Sequence, residues 1–252
     1  MSALATRVGR RPRGANGRRF GARALIAFLV ASAVASSAQA RVGAVVSAFS
    51  DERFRGVSLS DGRPVGTLDL SYDAHNGLYA AASGSVVAGR GEGLKLLGAS
   101  VNGGYARRLR SGLTIDVGAI HSRYSRYSGL ASGLSYTEVY AGLAGKLVGA
   151  RISVSPDYLG SARWTTHLEL NGHVDLSRRL FAEGEVGLLV PLGAEDYQGS
   201  LRPQVDARAG IARSFGTVTL HMAVTTRSRP SDFYASRGHS HTALILGIST
   251  TL

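Results

Sequence analysis

In the carboxyl-terminal half, HLELNGHVDL (167–176), AEGEVGLLV (182–190), VDARAGIARS (205–214) and VTLHMAVTTR (218–227) alternate apolar and polar residues, with Glu, Asp, Arg and His confined to single faces. A period of two with one oily and one charged face suits a strand lying between lipid and water. A soluble sandwich shows the same alternation, so targeting, turns and terminus must separate the two. Extended along the chain, the pattern predicts twelve strands at 42–49, 65–73, 78–87, 95–109, 113–120, 135–147, 150–155, 165–176, 180–190, 204–214, 218–227 and 242–252. Ten or fourteen would also be even numbers, and 150–155 is the weakest of the set.

The connections alternate in length. Tight links at His75-Asn76-Gly77, Arg110-Ser111-Gly112, Val148-Gly149, Ser177-Arg178-Arg179 and Ser214-Phe215-Gly216 alternate with longer ones at 50–64, 88–94, 121–134, 156–164, 191–203 and 228–241. Short periplasmic turns and longer extracellular loops are the habit of outer-membrane barrels. No run of 18 apolar residues follows position 40, so the pattern contains no membrane helix. Strands in hydrocarbon must satisfy their backbone groups on each other, and only closure leaves no open edge. The 33 glycines recur inside strands, where a curved barrel uses them to relieve bends. The expected fold is all-β, a transmembrane antiparallel up-and-down barrel of about 12 strands.

The first 40 residues supply the targeting evidence. Arg7, Arg10, Arg11, Arg13, Arg18, Arg19 and Arg23 precede an apolar run at 24–35, then Ser36-Ser37-Ala38-Gln39-Ala40. This is a signal peptide, 1–40, leaving a barrel domain at 41–252. A mitochondrial presequence is equally acid-poor but lacks the uninterrupted apolar run, and Arg18-Arg19-Phe20 does not complete a twin-arginine signal. Removing the leader changes the charge: of 29 basic and 17 acidic residues, seven basic ones leave, so +12 becomes +5. Nucleic-acid binding loses its main support, and no nucleic-acid partner is expected. No cysteine is present, so stability must come from elsewhere than disulfides.

The final segment sets Leu244, Leu246, Ile248, Thr250 and Leu252 on one face, ending on the terminal residue. It resembles the signal read by the outer-membrane barrel-assembly machinery, an expected partner, with Leu252 where an aromatic usually stands.

Face assignment gives an ionised interior. Glu138, Glu169, Asp175, Glu183, Glu185 and Asp206, with Arg107 and Arg208, are the candidate pore-lining residues; Asp69, Asp73, Asp116, His167, Asn171, His173 and His221 share their side. Two readings stand open. An aqueous pore would be biased toward cations by its carboxylates, passing small solutes or ions. A salt-bridged lumen would be blocked, since twelve strands lie between barrels filled with side chains and those holding channels.

Phe49-Ser50-Asp51-Glu52-Arg53-Phe54-Arg55-Gly56-Val57-Ser58-Leu59-Ser60-Asp61-Gly62, followed by Leu68-Asp69-Leu70-Ser71-Tyr72 and Gly77-Leu78-Tyr79-Ala80, resembles the amino-terminal signature of the TorF-type porin family of proteobacterial outer-membrane barrels. The resemblance covers about 45–87, and Glu52 stands where that family usually has an aromatic. It implies an outer-membrane barrel more strongly than a porin. Arg53, Phe54 and Arg55 form a candidate rim or constriction. Two arginines around an aromatic would clamp lipopolysaccharide phosphates or fold inward against carboxylates, while Gly56 and Asp61-Gly62 alone would make a stable loop.

Weaker constellations remain. His239-Ser240-His241 lacks a third metal ligand nearby, so neither metal nor cofactor is expected. Arg123, Arg126, Arg227, Arg229 and Arg237, with Tyr124, Tyr127 and Tyr234, read as a basic and aromatic rim. A hydrolase would need Ser153 or Ser155 to meet His167, and no outer-membrane phospholipase motif accompanies them. The expectation is a non-enzymatic outer-membrane barrel of a Gram-negative bacterium, in contact with membrane lipid and lipopolysaccharide, with a non-conducting structural or adhesive barrel as the alternative.

Overall fold

The computed structural model describes residues 41–89, 93–125, 135–160, 163–193, 203–228 and 242–252. The expected signal peptide, His239 and His241, and rim residues Arg126, Tyr127, Arg229, Tyr234 and Arg237 lie outside them.

Twelve strands close into one antiparallel ring: β1 (Arg41–Phe49), β4 (Val65–Asp73), β5 (Leu78–Gly89), β6 (Gly93–Arg108), β7 (Thr114–Tyr124), β8 (Ser135–Ala144), β9 (Val148–Ser155), β10 (Thr165–Asp175), β11 (Leu180–Pro191), β12 (Gln204–Phe215), β13 (Val218–Arg227) and β14 (Thr242–Thr251). Each pairs with its sequence neighbours, and β1 closes on β14. A small hairpin, β2 (Arg53–Phe54) and β3 (Val57–Ser58), stands apart from the ring. The weak segment at 150–155 is a full strand, but the turn before it lies earlier than its glycine suggests. Val148 and Gly149 belong to β9, and the reversal runs through 145–147, closed by Gly145 N–H to Val148 O at 2.8 Å. Likewise Ser214 and Phe215 belong to β12, leaving Gly216, with φ 66°, to turn the chain.

The alternation follows the pleat. β13 reads buried at Thr219, His221, Ala223 and Thr225 and exposed at Leu220, Met222 and Val224. Around the ring, Leu70, Val101, Val139, Leu170, Leu220 and Leu246 are 46–59% exposed on the outside. An apolar wall that encircles the protein is stable against hydrocarbon and costly against water.

Inside, glycine serves as a seat for neighbouring side chains. A Cβ on Gly118 would lie 2.5 Å from the Tyr140 hydroxyl and 2.6 Å from Gly103 O; Tyr79 covers Gly104, Tyr124 covers Gly98 and Phe49 covers Gly247 in the same way. Each aromatic lies over a glycine of the adjacent strand, which narrows the lumen. β5 and β6 shift register between Ser85 and Val86, so Leu97 and Gly98 are both buried.

The lumen and its inserted loop

The connection from β1 to β4 turns back into the barrel because its polar groups find partners within itself. Asp51 organises it: one carboxylate oxygen accepts Arg53 Nε at 2.7 Å, the other accepts Ser58 Oγ at 2.6 Å and Ser60 Oγ at 2.8 Å. Arg53 also donates to Gly56 O at 2.9 Å, and Leu59 N–H donates to Glu52 O at 2.7 Å. Two reversals, at Arg55-Gly56 (φ 49° and 74°) and Asp61-Gly62 (φ 62° and 68°), have both central residues at positive φ, as a type I′ turn requires. At Gly56 a side chain would also strike β13, its Cβ falling 2.9 Å from Arg227 Cβ.

The loop crosses the barrel and packs inside it toward the long-loop end. Phe54 packs among Tyr124, Tyr136 and Tyr158 with ring centroids 6.2, 5.8 and 6.5 Å away. Leu59, Val65, Val87, Leu97, Leu159 and Leu189 complete an apolar cluster drawn from the loop, six strands and the 156–164 connection. Next to it, Arg55 Nη2 donates to both Glu138 oxygens at 2.8 and 3.0 Å, and its guanidinium lies 4.6 Å from the Phe54 ring centre and 5.1 Å from that of Tyr158. Burial alone would lower the Arg55 pKa, but the facing Glu138 carboxylate and its hydrogen bonds outweigh it and hold the guanidinium well above its ordinary value. Burial pushes the Tyr158 phenol up, keeping it neutral.

Toward the short-turn end the lumen is polar. Tyr79 donates to Asp116 at 2.6 Å and touches the Tyr140 hydroxyl, and Arg151 reaches Asp116 at 3.2 Å while lying 4.4 Å from the Tyr140 ring centre. Across the barrel and nearer the long-loop end, His167 Nε2 stands 3.7 Å from Asp206, both above Gly187, while Arg208 pairs in register with Glu185. Asn171 donates to Glu169 at 3.2 Å.

Of the sequence-derived candidates, Glu138, Glu169, Glu185, Asp206 and Arg208 are buried on the inner face, and Glu183 is half-buried there. Asp175 occupies an inward register position but sits at the short-turn rim, 54% exposed and bonded to His173. Arg107 is a correction: it pairs with Ile115, on the outward side of the sheet, and is exposed. Its place at the penultimate position of β6, beside the exposed short turn, explains this, because a long cationic side chain there reaches water from the outward face. Arg53, Phe54 and Arg55 are 5%, 2% and 9% exposed inside the barrel, which leaves neither guanidinium free for a phosphate outside. Tyr124, expected on the rim, is buried in the lumen, and Arg227 lies within β13. Ser153 stands opposite His167 in register, but no hydrogen bond joins Ser153 or Ser155 to that histidine among the described residues. Sequence reading missed Asp51, Arg151, Tyr79, Tyr136, Tyr140 and Tyr158. Arg151 carried a signal, alternating with Ile152 and Val154; a loop tyrosine turned inward carries none.

With this geometry in view, residues 32–240 match a family described as bacterial protein of unknown function, Gcw_chp. The chain belongs to the Gcw_chp family. That match spans the segment resembling the TorF-type porins without itself carrying that narrower label. Among solved structures, this Gcw_chp member is similar to the NanC porin (13% identity over 83% of this chain and 100% of that one, TM-score 0.57), the KdgM porin (10%, 83% and 98%, 0.50) and an outer-membrane channel of Pseudomonas putida F1 (13%, 86% and 96%, 0.50). At such identities the likeness is one of fold. No curated protein matches the sequence.

Proposed function

We propose that the protein is a channel of the Gram-negative outer membrane for small polar solutes or ions, of the TorF porin type, with the loop at 51–62 as its constriction. The observation that carries this reading is the two-faced wall: apolar outside, and lined inside by Asp69, Asp116, Glu138, Glu169, Glu185 and Asp206 against Arg55, Arg151 and Arg208. Buried ionised groups are costly in a sealed apolar core and natural along a hydrated path. The carboxylate excess favours cations. The leader at 1–40 supports export, and the trimmed turns support a periplasmic short-turn rim.

A second reading, a non-conducting structural barrel, is favoured by the apolar cluster around Phe54. Planar-bilayer recording separates them. Refolded protein is compared with a variant whose residues 52–60 are replaced by a short Gly-Ser link, each checked for folding by heat-modifiable gel migration. The expected result is rare, brief, cation-selective openings in the parent and steady conductance in the variant. A folded variant that carries no current would refute the channel.

A further inference from the structure

The outer wall near the short-turn rim carries an open groove of about 530 Å³ lined by Tyr72, Leu78, Ala80, Tyr105 and Val117, with the inward-facing positions Tyr79, Gly104 and Gly118 giving its floor through their backbone. It exists because Ala80 and Gly103 are paired small residues on the outward face while Tyr72, Leu78 and Tyr105 stand up around them. Arg107 lies one pleat beyond Tyr105 on the same outward face, about 7 Å nearer the rim. Arg110 follows in the exposed turn. Among the described residues of β4 to β8, the outward positions hold no carboxylate.

We propose that this groove and Arg107 form a binding site for one anionic glycerophospholipid, its acyl chain along Tyr72, Leu78 and Tyr105 and its headgroup phosphate on the Arg107 guanidinium. The proposal rests on the outer-membrane reading, which places this rim in the phospholipid leaflet. Three features fit a lipid. The groove is almost wholly apolar, a tyrosine on each side supplies an amphipathic collar at headgroup depth, and an exposed arginine, suited to phosphate by its planar fork, closes the rimward end. Arg107 is exposed and has no carboxylate on its own face to hold it. An occupant that brings a negative charge complements it.

The test uses Tyr105→Trp in a Trp164→Phe background, so that the reporting indole sits in the groove. The barrel is refolded into phosphatidylcholine vesicles containing either dibrominated phosphatidylglycerol or dibrominated phosphatidylcholine, and quenching gives their relative association. The expected preference for phosphatidylglycerol is about fivefold, the factor one arginine supplies at an anionic surface. It should fall to about unity with Arg107→Gln and persist with Arg178→Gln and Arg179→Gln, which lie on the same rim at another turn. Equal quenching by the two lipids overturns the site while leaving the barrel in the membrane. A preference that survives Arg107→Gln also overturns it, by assigning the effect to the rim as a whole. No quenching by either lipid from a folded barrel would sink the outer-membrane reading itself, and the site with it.

Discussion

Substituting Glu138→Gln tests what holds the inserted loop in place. Arg55 and Glu138 are joined by two hydrogen bonds of 2.8 and 3.0 Å, with side chains 9% and 3% exposed, so the ion pair is nearly withdrawn from water. Removing one partner of such a pair costs about 3–5 kcal/mol, because the other charge stays buried without compensation. The amide that replaces the carboxylate still accepts one hydrogen bond, which moves the expected cost to about 2 kcal/mol, or roughly thirtyfold in the seated-to-unseated ratio of the loop. The readout is open probability in a planar bilayer, expected to rise by that factor, with single-channel conductance less affected. A double variant, Arg55→Met with Glu138→Gln, removes the stranded charge and should bring open probability back toward the parent. Open probability unchanged by Glu138→Gln, or a double variant as open as the single one, would refute the latch.

Packing and the outer wall set four further outcomes. Phe54→Ala empties the centre of the tyrosine cluster, at a cost of about 3–5 kcal/mol to the seated loop, and should raise conductance more than Glu138→Gln while leaving heat-modifiable migration intact. Gly118→Ala should lower barrel stability by about 1–3 kcal/mol in urea unfolding from vesicles, since its Cβ meets Gly103 O at 2.6 Å. In the same assay Gly187→Ala should cost less than Gly118→Ala, because the nearest atoms to its Cβ belong to the side chains of His167 and Asp206, which can shift, rather than to backbone. Leu170→Arg, mid-strand on the outer wall, should cost about 2–4 kcal/mol in a bilayer, more than Leu176→Arg at the rim.

The strands are readable because each obeys one local rule repeated around a ring. Leu168, Leu170 and Val174 face out for the same reason as Leu220 and Met222, and pairing with neighbours imposes that period whatever the loops do. The rule weakens at strand ends. Arg107 departs from it because a long cationic side chain at the penultimate position of β6, beside the exposed turn, reaches water from the outward face. The inward fold of residues 51–62 is open from sequence for a different reason. Arg53, Phe54 and Arg55 fit an external phosphate or an internal carboxylate equally well, and only the approach of Glu138, 83 residues on, decides between them. Tyr124, Tyr136 and Tyr158 similarly meet Phe54 from three separate segments, which no spacing along the chain encodes.

The seam where β1 meets β14 has five registered pairs, Val45 with Thr251 through Phe49 with Gly247, fewer than any other junction in the ring. Ser50, the first residue of the inserted loop, prolongs that seam through bonds of 2.9 and 3.0 Å to Leu246. The cork is therefore tethered to the zip. A force or lipid stress that begins to part the cylinder laterally acts first on the stem of its own stopper, so loss of wall integrity and loss of closure become a single mechanical event.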